Sequence, residues 1–108
     1  MSCKKGRVAE DIAVKYIATL NFKILDRNFY STFGEVDIIA TKDNILHFIE
    51  VKSGTSFNPA HNLTNRKLER IIKTIETYLI KYPSELDISI DLIAIQGNQI
   101  DLFENITI

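Results

Sequence analysis

Two carboxylates and a lysine sit close together in the stretch Gly34-Glu35-Val36-Asp37-Ile38-Ile39-Ala40, a short polar turn, and Phe48-Ile49-Glu50-Val51-Lys52. Read as two strands, this block puts Asp37, Glu50 and Lys52 on one face of an otherwise apolar hairpin. Charge among β-formers is unfavourable without a partner, and a divalent cation is the partner that best fits two carboxylates beside an ammonium. Hard oxygen ligands suit Mg²⁺ or Mn²⁺, which keep several waters and take up phosphate oxygens. A cation held this way polarises a phosphodiester and lowers the pKa of a bound water. Lys52, two residues after Glu50, shares its face, where it can orient that water or offset charge building on the phosphate.

The hairpin turn falls at Asp43-Asn44, so paired residue numbers are expected to sum to 87. Asp37 then lies opposite Glu50, and Glu35 opposite Lys52. Like charges across a ladder are destabilising, so the register itself asks for a cation between Asp37 and Glu50. A one-residue slip would send Asp37 to the other face.

A helix is expected over residues 5–20. At about 100° per residue from Val8, Ile12, Ala13, Val14, Tyr16, Ile17 and Leu20 fill an apolar arc, and Glu10 falls inside it at about 200°. A carboxylate there sits either at a core edge with a partner or in a site, where it can join Asp37 and Glu50. The competing reading of the whole set is plain: Glu35 and Lys52 form a surface ion pair while Asp37 and Glu50 face solvent on an uncovered side of the sheet.

The remaining elements follow from pattern. Phe22 to Tyr30 reads as a strand, with a turn at Ser31-Thr32-Phe33-Gly34 and strands at 35–42 and 45–52. Ser53 to Leu63 reads as a loop, and a second helix runs from Thr64 to Tyr82 before Pro83. A last hairpin, 87–96 and 99–106, turns at Gly97-Asn98. The order α-β-β-β-α-β-β makes one α/β domain over 1–108, a mixed central sheet flanked by helices, because the second helix must carry the chain back over the sheet. Leu68, Ile71, Ile72, Ile75, Tyr78 and Leu79 form that helix's core stripe. Arg66, Arg70, Lys73 and Lys81 line its other side, with Lys67 at the border. They make either a nucleic-acid-binding face or an ordinary solvated one.

Composition narrows the classes. The 108 residues are 45% hydrophobic, enough for one core. The net charge is −1, yet residues 1–81 hold all 13 bases against 9 acids, a net of +4, and the last 27 residues hold five acids and no base. A basic working face is thus permitted. The one cysteine, Cys3, supports neither a disulfide framework nor a thiolate metal site. No apolar run nears the roughly 18 residues of a membrane span and no signal core opens the chain, so a cytoplasmic protein with no membrane partner is expected. His47 is expected to pack on the face opposite Glu50, His61 to lie idle in a loop, and Asp91 to have a surface or hydrogen-bonded role. Phe29, Tyr30, Phe33 and Phe57 read as packing residues that are also able to stack on bases.

Gly6-x3-Glu10-x2-Ala13-x2-Tyr16, Arg27-Asn28, Gly34 to Ala40, Phe48 to Lys52, Lys67 and Asp91 together resemble the YraN family of small bacterial proteins. Through the same residues the chain is similar to archaeal-type Holliday-junction resolvases and the PD-(D/E)XK nuclease superfamily. The resemblance implies a restriction-endonuclease-like fold and metal-dependent cleavage of DNA, branched or single-stranded, by a possible homodimer. It matches Glu10 to the acidic helix residue, Asp37 to the metal aspartate and Glu50–Lys52 to the Glu-x-Lys pair, with the Val51 carbonyl helping to hold the metal. Lys67, Arg66, Arg70 and Lys73 are the expected DNA contacts. Ser53-Gly54 replaces a usual arginine, which touches a substrate phosphate contact, and Asn21 replaces a common glycine at a helix end. The alternative on the same fold is an inactive nucleic-acid-binding or protein-interaction module.

Overall fold

A computed structural model describes residues 4–54 and 64–106. The elements are α1 (Lys4–Thr19), β1 (Lys23–Ser31), β2 (Gly34–Lys42), β3 (Ile45–Ser53), α2 (Asn65–Lys81), β4 (Asp87–Gln96) and β5 (Gln99–Phe103). They build one five-stranded sheet in the order β1-β2-β3-β4-β5. Only β3 and β4 run parallel, joined by α2, which makes the sheet mixed. The expected α/β order and layering therefore hold. Most of the 53–63 loop, including Phe57 and His61, lies outside the described residues.

Each helix covers one face. Ala9, Ala13 and Ile17 of α1 pack on Ile38, Ala40, Ile49, Ile93 and Ile95. Ile71, Ile75 and Tyr78 of α2 pack on Val36, Ile39, Leu46, Phe48 and Ile90. With both faces covered, β2 and β4 are buried without a break through their centres, and they are mostly apolar apart from Asp37, Ser89 and Asp91. One expected core position of α1 differs: Ile12 is exposed, because the buried stripe follows Ala9, Glu10, Ala13 and Ile17. On α2, Ile72 is exposed and Thr74 is buried instead, its hydroxyl meeting Ser31 Oγ at 2.8 Å.

The turns obey their residues. Asp43 and Asn44 both take positive φ, 51° and 63°, giving the hairpin twist that suits a two-residue connection. Asn21, with φ 70°, ends α1: its N–H bonds to Ala18 and the Phe22 N–H reaches back to Ile17. That is a Schellman closure, and Asn tolerates the left-handed position that glycine more often takes. β5 stops at Phe103, earlier than expected, because Asn105 turns at φ 55° and donates its N–H to Asp91. Among the described residues, no helix is long and apolar enough to cross a membrane.

Candidate active site

The sheet forks at the residues that carry the charge. β2 and β3 pair from Lys42–Ile45 to Ile38–Ile49, in the register whose numbers sum to 87, and the ladder then stops. β2 continues along β1 to Gly34, while β3 continues along β4 to Ser53. The expected cross-strand pairs Asp37–Glu50 and Glu35–Lys52 therefore do not form as ladder pairs. Instead, Asp37 Oδ2 accepts the Val51 N–H at 2.8 Å across the opening. Directly opposed carboxylates would repel, and side-chain alternation also slips here: Ile38 faces α1 whereas Val36 faces α2. β1 makes the same switch around Asn28 at φ 53°, since Arg27 bonds to Asp11 of α1 and Phe29 packs on Tyr78 of α2. In a strand, the N–H and C=O of one residue leave on the same edge, so the Val51 carbonyl is turned to the same notch.

Carboxylates gather in this notch. Glu10 is 5% exposed and Asp37 8% exposed, which excludes the reading in which Asp37 faces solvent. Glu10 Oε1, Glu35 Oε2 and Glu50 Oε1 are buried with no hydrogen-bond partner, and among the described residues Glu35 and Lys52 form no ion pair. Burial raises the Asp37 carboxyl from 3.8 to about 6, against the pull of the Val51 N–H, with the charges of Glu10 and Glu35 adding to the rise. Burial raises Glu50 further, from 4.5 to about 9, followed by the charge of Asp37 beside it. The two carboxyls act on one another, so they titrate as a pair. Glu10 is near enough for its charge to act on Asp37 and Tyr30. Its oxygens, however, do not close with those of Asp37 and Glu50 into a trio within 4.8 Å.

Glu35, Glu50, Lys52, Lys67 and Arg70 line one cavity of about 170 Å³, walled by Phe33 and Leu92. Burial, then the adjacent Lys52, lowers the Lys67 ammonium. Two ammonium groups side by side are relieved by an anion. Arg66, Arg70 and Lys73 line a second, contiguous groove of about 720 Å³. Lys81 instead lies over the Tyr82 ring. In the sequence Glu35 reads only as a partner for Lys52; its i, i+2 spacing to Asp37 is the available signal, since strand residues two apart share a face.

The other titratable cluster is structural. Among the described residues, His47, Asp91 and Glu104 are the one trio of potential ligand atoms within 4.8 Å of one another. Asp91 is fully buried and already accepts from His47 Nδ1 (2.6 Å), Ser89 Oγ (2.5 Å) and the Asn105 N–H (3.1 Å). His47 packs its ring edge on Phe22. The hydrogen-bonded role expected for Asp91 and the packed role expected for His47 both hold.

The raised carboxyls carry a stability prediction. The folded chain keeps protons at Asp37 and Glu50 that the unfolded chain releases near their ordinary values of 3.8 and 4.5. Their contribution is complete below those values and is lost as pH rises through about 6 and then about 9. In chelator, the urea midpoint is expected to fall steadily across that window, and Glu50→Gln to flatten its upper part. A midpoint that rises with pH would contradict the assignment.

The profile described as uncharacterised protein family UPF0102 matches residues 9–95. A UPF0102 protein of Wolinella succinogenes is 45% identical over 108 residues, covering all of both chains. One from Helicobacter pylori is 47% identical over 103 residues, covering 95% of this chain and 90% of the relative. One from Helicobacter hepaticus is 44% identical over 104 residues, covering 96% and 94%.

Proposed function

Given that this chain belongs to the uncharacterised protein family UPF0102, we propose that it is a metal-dependent endonuclease that hydrolyses phosphodiester bonds in branched or junction DNA. The observation that carries this reading is the fork: buried carboxylates with unpartnered oxygens meet at a notch beside two lysines. Unpartnered buried carboxylate oxygens are costly unless a cation or proton takes them, so the donor set fits Mg²⁺ or Mn²⁺. Asp37, Glu50 and the Val51 carbonyl would hold the ion, with Glu10 joining through a water. When bound, such an ion supplies Lewis-acid polarisation of the phosphate and a more acidic water.

The chain's own groups do the rest. Lys52, next to Glu50, orients the attacking water and offsets charge on the phosphate. Lys67, its neighbour across the cavity, grips a phosphate oxygen. Arg66, Arg70 and Lys73 hold the flanking backbone without reading sequence. The resemblance to Holliday-junction resolvases and PD-(D/E)XK nucleases, carried by Gly34 to Ala40 and Phe48 to Lys52, supports the same reaction class.

The test is a cleavage panel of four-way junctions, flaps, single strands and blunt duplex with Mg²⁺ or Mn²⁺, repeated in chelator. Metal-dependent product from a branched substrate is expected. Salt-sensitive binding with no product from any substrate would replace the enzyme by a binding module on the same fold.

A further inference from the structure

The larger groove is built asymmetrically. One wall is α2, which presents Arg66, Arg70 and Lys73 at i, i+4 and i+7, a single stripe of cations about one and two turns apart. The opposite wall is the β1–β2 turn, which presents two aromatic rings, Tyr30 and Phe33, at 55% and 45% exposure. Exposed aromatics at a turn tip usually swing freely. Here the turn is pinned: Ser31 Oγ meets Thr74 Oγ1 of α2 at 2.8 Å and accepts the Phe33 N–H at 3.0 Å. A Cβ placed on Gly34 would just touch Arg70 and Thr74, so the turn sits close against α2. Lys73 Nζ lies 5.2 Å from the Phe33 ring centre, holding one ring face against the basic stripe. The Tyr30 hydroxyl lies beside the Glu35 carboxylate, whose charge raises its pKa.

Phe33, Gly34, Glu35 and Arg70 line both cavities, so the groove opens directly onto the Glu50–Lys52 pocket. Its volume is that of a small-ligand site. Cations on one wall suit a phosphodiester backbone. Ordered ring faces on the other suit bases that are free of a stack. Paired bases would hide their faces and leave the aromatic wall unused. The acids in the groove, Glu35 and Glu69, oppose a phosphate backbone, which confines it to the stripe of cations.

We infer that this groove binds an unpaired nucleic-acid strand, its backbone along Arg66, Arg70 and Lys73 and a base stacked on Phe33, delivering that strand to the Glu50–Lys52 pocket. This rests on the endonuclease reading and adds to it: a branched substrate is engaged through its unpaired strand, and Phe33 is the specificity-determining residue.

Binding is measured with metal chelated, so that it is read apart from cleavage. Fluorescein-labelled single-stranded DNA, single-stranded RNA and blunt duplex DNA are titrated against the wild type, Phe33→Ala, Phe33→Trp and Arg66→Ala, with anisotropy as the readout. Either single strand is expected to bind more tightly than duplex, and comparing DNA with RNA identifies the strand preferred. Phe33→Ala is expected to weaken single-strand binding by about 5- to 150-fold, the range for loss of one base–aromatic stack, while Phe33→Trp retains it. Arg66→Ala is expected to reduce the logarithmic salt slope by about 0.7. Equal binding of duplex and single strand, or unchanged binding by Phe33→Ala, overturns the inference. If strand binding behaves as expected but no substrate is cut, the hydrolytic reading falls and the strand site stands.

Discussion

Lys52→Ala is expected to lower metal-dependent cleavage by about 10²- to 10³-fold, the range seen when one preorganised donor to a developing oxyanion is removed. Lys52 sits with Glu50, Lys67 and Arg70 in the cavity at the fork, so its loss leaves the carboxylates and the basic groove in place. Strand binding in chelator should therefore stay close to that of the wild type. Lys52→Arg restores the charge but not the compact ammonium, and a planar guanidinium fits poorly between Glu50 and Lys67, so rescue should be small. The measurement is initial cleavage rate on the best substrate of the panel, with anisotropy on the same proteins. A Lys52→Ala protein that cuts at the wild-type rate would remove Lys52 from the reaction.

Asp91→Ala is expected to cost about 3–5 kcal/mol of folding stability, because it leaves at least two buried donors without an acceptor at about 1–3 kcal/mol each. Asp91 is fully buried in β4 and ties three elements together: His47 of β3, Ser89 of its own strand and the Asn105 backbone after β5. Alanine would leave the His47 ring N–H and the Asn105 N–H without acceptors in the interior. For a domain of this size the melting temperature should drop by at least about 12 °C. Asp91→Asn, which keeps the shape and two acceptor lone pairs, should cost less. Urea unfolding of the three proteins reads the difference, and a loss below about 1 kcal/mol for alanine would mean that the network is not a structural tie.

Much of this molecule could be read along the chain because its causes are local. Asp43-Asn44 supplied two residues able to take positive φ, which set the hairpin register, and that register set the partners of residues 38–42. The helix periods settle which faces pack, although Ile12 shows that an apolar residue at the rim of an arc need not be buried. Glu10 stood out because a carboxylate lay within an apolar arc. Asp91 was harder: a lone acid in a β-rich stretch does not reveal its partners, two of which, His47 and Asn105, lie 44 and 14 residues away.

The order of elements, the two core stripes, the hairpin register and the family are legible along the chain, because periodicity, turn chemistry and motif spacing are properties of neighbouring residues. Three features emerge with the packed fold alone: the ladder parts at Ile38–Ile49, Glu35 joins the carboxylates, and the β1–β2 turn is pinned on α2 to face its cations. Those features depend on where two helices press on opposite faces of one sheet. The side-chain alternation on which strand reading relies gives way at Asn28 and between Ile38 and Val36, where both layers compete for the same strands.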